Sequence, residues 1–243
     1  MDAQLTTLPI GIFVSLVTFL RYLVIAGLAF LVFYYFLKDS KFFRKLQTRF
    51  PKRSDYVREI GFSALSCVIF GLVGYIGYAT PFYQYSQAYS NLNDYPIWYF
   101  WVSIIFMIFL HDAYFYWTHR LIHHKALFKN FHALHHKSHN PSPWSAFAFD
   151  PLEALINACF QLVMMVIIPT HFYAIGIFYL ISMLVNVYGH LGYEIYPKTI
   201  HTHWLGRWIN TSTAHNLHHH QGKGNYGFYF TFWDKMMRTE RLG

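Results

Sequence analysis

Residues 95–124 read YPIWYFWVSIIFMIFLHDAYFYWTHRLIHH, an apolar run that ends in a cluster of histidines. A hydrocarbon core of about 30 Å needs roughly 20 apolar residues of helix, so the run predicts a membrane-embedded helix. His119 and His123 are four residues apart, which puts both imidazoles on one helical face, one turn apart. This stretch therefore predicts a helix whose polar end carries metal-binding side chains.

The composition of the whole chain favours a membrane protein. Of its 243 residues, 55% are hydrophobic, 21% are aromatic and 12% are charged, whereas soluble domains have about 25% charged residues. These values argue against an ordinary soluble enzyme, a disordered chain and a disulfide scaffold. Cys67 and Cys159, the two cysteines, lie in apolar runs, so we expect buried thiols and no bridge.

Five apolar segments are candidates for the membrane. They are residues 10–37, 60–79, 95–118, 152–168 and 172–190. The last two are either full spans or a hairpin that dips partway in, because the fourth is near the lower length limit. The first is too long for a signal peptide, so we expect a span. Residues 119–150 and 191–243 remain as a polar cap, and residues 1–243 are expected to form a single integral membrane domain.

Positive charge predicts the orientation of these segments. The connection 38–59 holds eight lysines and arginines, whereas 80–94 holds none, and basic connections face the cytoplasm. With five crossings, every histidine cluster then lies on the cytoplasmic face, and Arg21 is the one charge left inside a span. We therefore predict an all-α integral membrane protein with four to five membrane-embedded helices and a cytoplasmic histidine-rich helical cap. Its membrane would be the inner membrane of a bacterium or the endoplasmic reticulum of a eukaryote. The net charge of +8 is then explained by basic residues on the cytoplasmic face and does not indicate nucleic-acid binding.

Nine of the sixteen histidines have the spacing of metal ligands. They are His119 and His123; His132, His135 and His136; His190; and His215, His218 and His219. Spacings of three and four on a helix point side chains at one small volume. Neutral imidazole suits zinc, copper, iron and nickel. Nine nitrogens exceed what one ion accepts, so we predict a di-metal site with four or five imidazoles for each ion.

Two carboxylates are candidates for supporting this site. Asp112 lies seven residues before His119 on the same helical face, so we expect it to accept the second ring N–H of a ligand. Glu194 follows His190 by one turn, and it could be a ligand, an acceptor for a ligand ring or an exposed charge. His171 is expected to be hydrogen-bonded and inert.

These motifs resemble the fatty acid hydroxylase and sterol desaturase superfamily over about residues 105–240. The matching strings are HDAYFYWTHRLIHH, FHALHHKSHNPSPWSAFAFDPLE, NVYGHLGYEIYP, AHNLHHH and NYGFYFTFWDKMMRT. The resemblance implies two iron ions held by the nine histidines, with His190 as the ninth ligand. Asn216 departs from the aspartate common in the family, and Met237 and Arg238 replace its usual phenylalanine and glycine. These departures bear on the substrate class.

The resemblance implies a non-haem di-iron oxidoreductase that uses O2 to hydroxylate or desaturate a lipid C–H bond. The lipid could be a sterol, a fatty acyl chain or a related molecule. The sequence has no haem-attachment, iron–sulfur or nucleotide-binding motif, so we expect electrons from a separate reductase, ferredoxin or cytochrome b5 type carrier. The basic connection 38–59 could receive an acidic carrier or contact anionic lipids.

Two other classes of protein remain open. A histidine-rich membrane metal transporter or metal-storage protein is the first, although transporters place their ligands near the middle of their spans. A bis-histidine haem cytochrome is the second, although it would not need two H-x-x-H-H boxes. The metal and haem content of the purified protein separates these classes.

Overall fold

Five apolar helices and three short ones make up most of the structure. The computed structural model describes residues 8–241. The helices are α1 (Leu8–Phe30, continued as a π-helix over Leu31–Phe36), α2 (Arg53–Ala79), α3 (Ile97–Ile122), α4 (Lys125–Phe131), α5 (Pro151–Ile167), α6 (Phe172–Gly189), α7 (Ser212–Gln221) and α8 (Phe232–Met236). The prediction of a mostly helical protein is confirmed.

Four helices within the described residues are long and apolar enough to cross a membrane. They are Ile10–Phe36, Arg53–Ala79, Ile97–Ile122 and Phe172–Gly189. The remaining apolar segment is α5, whose 17 residues put it at the lower length limit for a span. Pro151 begins this helix, where the missing proline N–H costs no helical hydrogen bond.

The histidine-bearing ends of the helices meet at one end of the bundle. Tyr34, in the last turns of the first helix, donates a hydrogen bond to the carbonyl of Leu191 just beyond α6 (3.0 Å). Near the start of α2, Glu59 accepts a hydrogen bond from the loop after α4. Glu153, in the first turn of α5, lies 2.8 Å from His132 at the end of α4. Thus α1 and α6 end where α2 and α5 begin, and neighbouring helices alternate in direction.

Contact between two loops closes the opposite end of the bundle. Tyr89, between α2 and α3, donates its backbone N–H to the carbonyl of Thr170, between α5 and α6 (3.0 Å). His171 is buried beside it, with its Nε2 2.9 Å from the carbonyl oxygen of Ser90. Helices α5 and α6 therefore extend as far from the histidine end as α2 and α3 do.

Small residues let α1 and α2 approach closely. A Cβ added to Gly71 would lie 1.8 Å from Oγ of Ser15 and 2.4 Å from the carbonyl oxygen of Gly11. Small residues serve the same purpose at helix contacts in membrane proteins generally. Larger side chains, among them the fully buried Met107 and Phe160, pack α3 against α5 and α6.

The polar cap comprises α4, α7, α8 and the loops around them. A short antiparallel pairing joins it to the basic connection, with β1 (Arg44–Lys45) beside β2 (Tyr193–Glu194). These strands were not predicted from the sequence, because two residues are too short to show an alternating pattern. The pairing holds the basic connection against the part of the cap that leads into α7.

Candidate metal centre

Eight of the nine predicted ligands form two groups of four, each able to hold a metal ion. The first group is His119, His123, His132 and His218, and the second is His135, His190, His215 and His219. Within each group the ligand nitrogens lie within 4.8 Å of one another. All are buried except His123, which is half-buried. The structure thus brings side chains from α3, α6, α7 and the loop after α4 to one place.

The one predicted ligand outside these two groups, His136, lies beside the first group. Its Nε2 is 3.1 Å from Nε2 of His218, and its ring centroid is 4.9 Å from that of His123. His136 is therefore in position to act as a fifth nitrogen donor for the first group.

Each of the two H-x-x-H-H boxes, residues 132–136 and 215–219, divides its histidines between the two groups. His132 ends α4 and belongs to the first group, whereas His135 begins a 3-10 turn and belongs to the second. On α7, His218 belongs to the first group, while His215 and His219 belong to the second. The spacing within a box therefore does not place all of its histidines in one group. The helix is interrupted inside the first box, and α7 lies between the two groups.

Within each group, the imidazoles approach one another through their Nε2 atoms. The Nε2 pairs are His119 and His132 at 3.0 Å, His123 and His218 at 3.2 Å, His135 and His190 at 3.3 Å, His190 and His215 at 3.0 Å, and His215 and His219 at 3.1 Å. Metal ligands on a shared ion need such convergence of one ring nitrogen from each side chain.

Backbone carbonyls hold the other ring nitrogen of four imidazoles. Nδ1 of His119, His135, His190 and His218 lies 3.0, 3.2, 2.8 and 2.6 Å from the carbonyl oxygens of Tyr226, Ala148, Asn186 and Gly224, respectively. A carbonyl only accepts, so each Nδ1 carries the proton and each Nε2 is a bare lone pair. His135 and His190 then present two lone pairs to each other at 3.3 Å. That arrangement is repulsive without a cation, so the donor set suits a metal ion.

Burial keeps these imidazoles neutral. Burial away from water is the main cause that lowers the pKa of His215 and His219 well below the ordinary value, and the nearby imidazoles lower it further. Loss of water also lowers the pKa of His190 to about 4 and that of His136 to about 2. Neutral imidazole is the form that binds metal ions, so near neutral pH these rings need not lose a proton to do so.

Glu153, which was not predicted from the sequence, supports the first group. Its Oε2 lies 2.8 Å from Nδ1 of His132, and both side chains are almost completely buried. The oxygen lies off the direction of the ring N–H, so the contact is mainly electrostatic. Carboxylates beside ligand imidazoles orient the ring and raise its basicity. The sequence does contain a signal for this role, namely an acidic residue in the first turn of an apolar helix. A glutamate in such a position needs a partner, because glutamate is rarely buried without one.

Asp112 does not perform the predicted role. Its Oδ1 accepts the backbone N–H groups of Tyr229 (2.8 Å) and Phe230 (3.2 Å). Seven residues on a helix return to the same face, but they also advance about 10 Å along the axis. Asp112 is therefore too far along α3 to contact the imidazole of His119, and it fixes the loop before α8 instead.

Glu194 is buried and receives four hydrogen bonds, none of them from an imidazole. Its Oε1 accepts the hydroxyl of Tyr188 (2.6 Å) and the backbone N–H of Tyr196 (3.1 Å). Its Oε2 accepts the hydroxyl (2.6 Å) and the backbone N–H (3.0 Å) of Thr213, in the first turn of α7. A carboxylate is favourable at a helix N-terminus. Glu194 thus fixes the start of the helix that carries His215.

Asp234 organises the loop that supports His119. Its Oδ1 accepts the backbone N–H of Tyr226 (2.9 Å) and its Oδ2 accepts that of Gly227 (2.8 Å). Tyr226 in turn offers its carbonyl to Nδ1 of His119. This carboxylate therefore acts on the metal centre through one residue of backbone.

A small void lies beside the histidines. Its volume is about 20 Å³, and it touches histidines of both groups as well as Phe115, Phe149 and Phe228. A cavity needs roughly 10–15 Å³ to hold one water molecule. The void therefore has room for one molecule of that size between the metal-binding nitrogens and an apolar wall.

The chain matches the fatty acid hydroxylase family over residues 104–239, a range that contains all nine histidines. It is 31% identical to the Delta(7)-sterol 5(6)-desaturase of Gibberella zeae over 216 residues, which cover 86% of this chain and 62% of that protein. It is 28% identical to the lathosterol oxidase of Homo sapiens over 205 residues, which cover 84% of this chain and 66% of that protein.

A third relative is a monooxygenase. Methylsterol monooxygenase 1 of Gallus gallus is 28% identical over 160 residues, which cover 65% of this chain and 53% of that protein. The chain thus spans 53 to 66% of the lengths of these three relatives. No solved structure matches the chain.

Proposed function

The chain belongs to the fatty acid hydroxylase family, and we propose that it is a membrane-bound non-haem di-iron oxidoreductase. In this proposal it uses O2 to hydroxylate or desaturate a C–H bond of a lipid, either a sterol or a fatty acyl lipid. The names of its relatives, a sterol desaturase, a lathosterol oxidase and a methylsterol monooxygenase, support an oxidation of this kind.

The paired histidine groups are the observation that carries this proposal. Two sets of buried nitrogens, each within 4.8 Å, provide donors for two ions. Four of the rings have Nδ1 tied to a carbonyl, so their Nε2 lone pairs are free to bind a metal. Donors of this kind are consistent with a metal pair and do not need a haem.

Iron suits both the donors and the reaction. Imidazole binds zinc, copper, iron and nickel, but zinc has no redox chemistry. When bound, iron would supply the electron transfers by which dioxygen is activated. The role of the protein is to hold the nitrogens in place and to keep the surroundings dry.

Particular residues carry out that role. Glu153 and the four backbone carbonyls fix the orientation of the ligand rings. Phe115, Phe149 and Phe228 form the apolar wall of the void beside the histidines. A wall of this kind excludes bulk water and leaves space next to the nitrogens for a small reactant.

The membrane arrangement is part of the proposal. We propose a single membrane domain in which the four long helices and α5 are embedded and the histidine end faces the cytoplasm. The basic connection 38–59 supports this orientation, because it lies at the histidine end and cytoplasmic connections are rich in lysine and arginine. Electrons would come from a separate carrier, which reaches the centre from the same side.

Metal content and lipid products test the proposal together. Purified protein should contain about two iron ions and no haem, and cells that express it should contain a lipid shifted by one oxygen atom or by loss of two hydrogens. His135→Ala should abolish this product. His220→Ala is the matched control, because His220 is exposed and belongs to neither group.

Three results would contradict the proposal. They are a haem in the purified protein, an unchanged lipid product from His135→Ala, and iron-independent metal flux into vesicles that contain the protein. The last result would favour a metal transporter.

A further inference from the structure

A second, larger cavity adjoins the metal centre. It has a volume of about 580 Å³ and lies among α1, α5 and α6, with α3 along one side. Phe115, Phe149, Asn186 and Phe228 line both this cavity and the small void beside the histidines. The two spaces are therefore separated by no more than one layer of side chains.

The cavity runs along the helices, away from the histidines. On α6 its lining runs from Phe172 to Asn186, four residues before His190, so it extends along about 21 Å of that helix at 1.5 Å per residue. At the far side it reaches Phe13 and Val17, which are exposed on the outer surface of the bundle. An elongated apolar molecule could thus enter from the lipid and reach the metal centre.

Arg21 is the one lysine or arginine among the residues that line this cavity. It lies inside α1, in the long apolar span Ile10–Phe36. Its guanidinium carbon is 5.6 Å from the centre of the Tyr179 ring, and its Nε is buried with no hydrogen-bond partner. Within residues 8–241 no carboxylate lies within 4.0 Å of its nitrogens. A charged side chain inside a span is costly and generally marks a functional site.

We infer that Arg21 binds the oxygen-bearing end of the lipid substrate, a carboxylate or a hydroxyl group. The inference rests on the proposed function, which makes the adjoining cavity the substrate site. A guanidinium has five N–H donors and no acceptor, so it needs an oxygen in order to be satisfied in an apolar cavity. The cavity walls provide the apolar surface for the remainder of the molecule.

The distance from Arg21 to the histidines selects the carbon that reacts. Tyr179, the neighbour of Arg21, precedes His190 by eleven residues along α6. At 1.5 Å per residue this separation is about 16 Å. The polar group of the substrate therefore lies far from the carbon that is oxidised, and the helices fix that separation.

Binding without turnover tests the role of Arg21. Purified, metal-loaded protein under nitrogen would be titrated with palmitate and with cholestanol. Hexadecane and cholestane serve as partners that lack the oxygen. The variants are Arg21→Met, which removes the charge at similar size, Arg21→Lys, which keeps it, and Leu20→Met as a lipid-facing control on the same helix.

We expect Arg21→Met to weaken binding of palmitate, of cholestanol, or of both by at least tenfold, and to leave hexadecane and cholestane unchanged. Arg21→Lys should recover part of the affinity, and Leu20→Met should bind as the wild type does. Loss confined to palmitate identifies a carboxylate, and loss confined to cholestanol identifies a hydroxyl.

The inference is overturned if Arg21→Met binds the ligands as tightly as the wild type does. It is also overturned if the wild-type protein binds none of the four ligands, or binds ligands with and without the oxygen equally well. Metal content measured on the same samples shows that the variant is folded. Because no oxidation occurs under nitrogen, Arg21-dependent binding by a protein that never oxidises a lipid would refute the proposed function alone.

Discussion

Glu153→Gln tests whether a buried carboxylate supports the metal centre. The substitution replaces the carboxyl group 2.8 Å from Nδ1 of His132 by an amide and nearly preserves the size of the side chain. Loss of a carboxylate beside a ligand imidazole lowers metal affinity by about 10- to 100-fold. At about 1.4 kcal/mol per tenfold, the expected loss is about 1.4 to 2.8 kcal/mol of binding free energy. Glutamine can still contact the ring, so we expect a value near the lower end.

Asp112→Asn provides the matched control. Asp112 and Glu153 are both 2% exposed, so the two substitutions change equally buried carboxyl groups. Asp112 accepts two backbone N–H groups and touches no imidazole, and an asparagine oxygen can still accept both. We therefore expect Asp112→Asn to keep the metal affinity of the wild type.

The assay is an anaerobic titration of metal-free protein with ferrous iron in competition with a chelator. Glu153→Gln should require at least tenfold more free iron for half-occupancy, while Asp112→Asn should titrate as the wild type does. Equal affinities for Glu153→Gln and wild type would refute the supporting role of Glu153. Equal losses in both variants would point to a general effect of replacing a buried carboxyl group by an amide.

Three further predictions concern the ligands and the loop beside them. His218→Ala and His135→Ala should each lower the bound metal from about two ions to about one by elemental analysis, because His218 and His135 belong to different groups; loss of both ions from each variant would show one inseparable site. Arg238→Gly should increase the free energy of unfolding by about 1 kcal/mol and so raise the melting temperature, because Arg238 has φ +56° and a residue with a Cβ costs about that much in the left-handed region. Arg238→Ala keeps the Cβ and should show no gain. Gly224→Ala should destabilise the protein by about 2 kcal/mol or more in thermal unfolding, because Gly224 has φ +74° and its new Cβ would lie 2.6 Å from the carbonyl of Thr239; an unchanged melting temperature would contradict this.

Helical periodicity made the convergence of the histidines predictable from the sequence. The spacing of four between His119 and His123 fixes one face of α3 wherever that helix lies in the fold. The long apolar runs likewise predicted the helices, because hydrocarbon length sets their minimum size. Both signals are local, so they survive without knowledge of the tertiary structure.

The division of ligands between two groups was not predictable in the same way. His135 begins a 3-10 turn, where three residues complete a turn, so its direction relative to His132 does not follow the α-helical rule. The acceptors for Nδ1 are backbone carbonyls, for example those of Ala148 and Gly224. Every residue type has such a carbonyl, so the sequence contains no signal for this role.

The role predicted for Asp112 was wrong for a different reason. Periodicity gave the correct face of α3, but a shared face says nothing about the distance along the helix axis. Glu153 lies on another helix, and its approach to His132 depends on how α5 packs against α4. Contacts of this kind depend on tertiary packing, and the sequence pattern of one helix cannot supply them.

The same helix links the metal centre to the proposed substrate site. His111, Phe115, His119 and His123 follow one another at intervals of four residues, so one broad stripe of α3 changes from cavity wall to ligand face. Another wall is α6, which begins at the far end of the cavity and ends next to His190. Arg21 of α1 packs on Tyr179 of α6, so the packing of α1 on a continuous helix, and no flexible loop, sets its distance from the histidines. Changes in the loops of the cap should accordingly alter the rate of oxidation more than the position of the carbon that is oxidised.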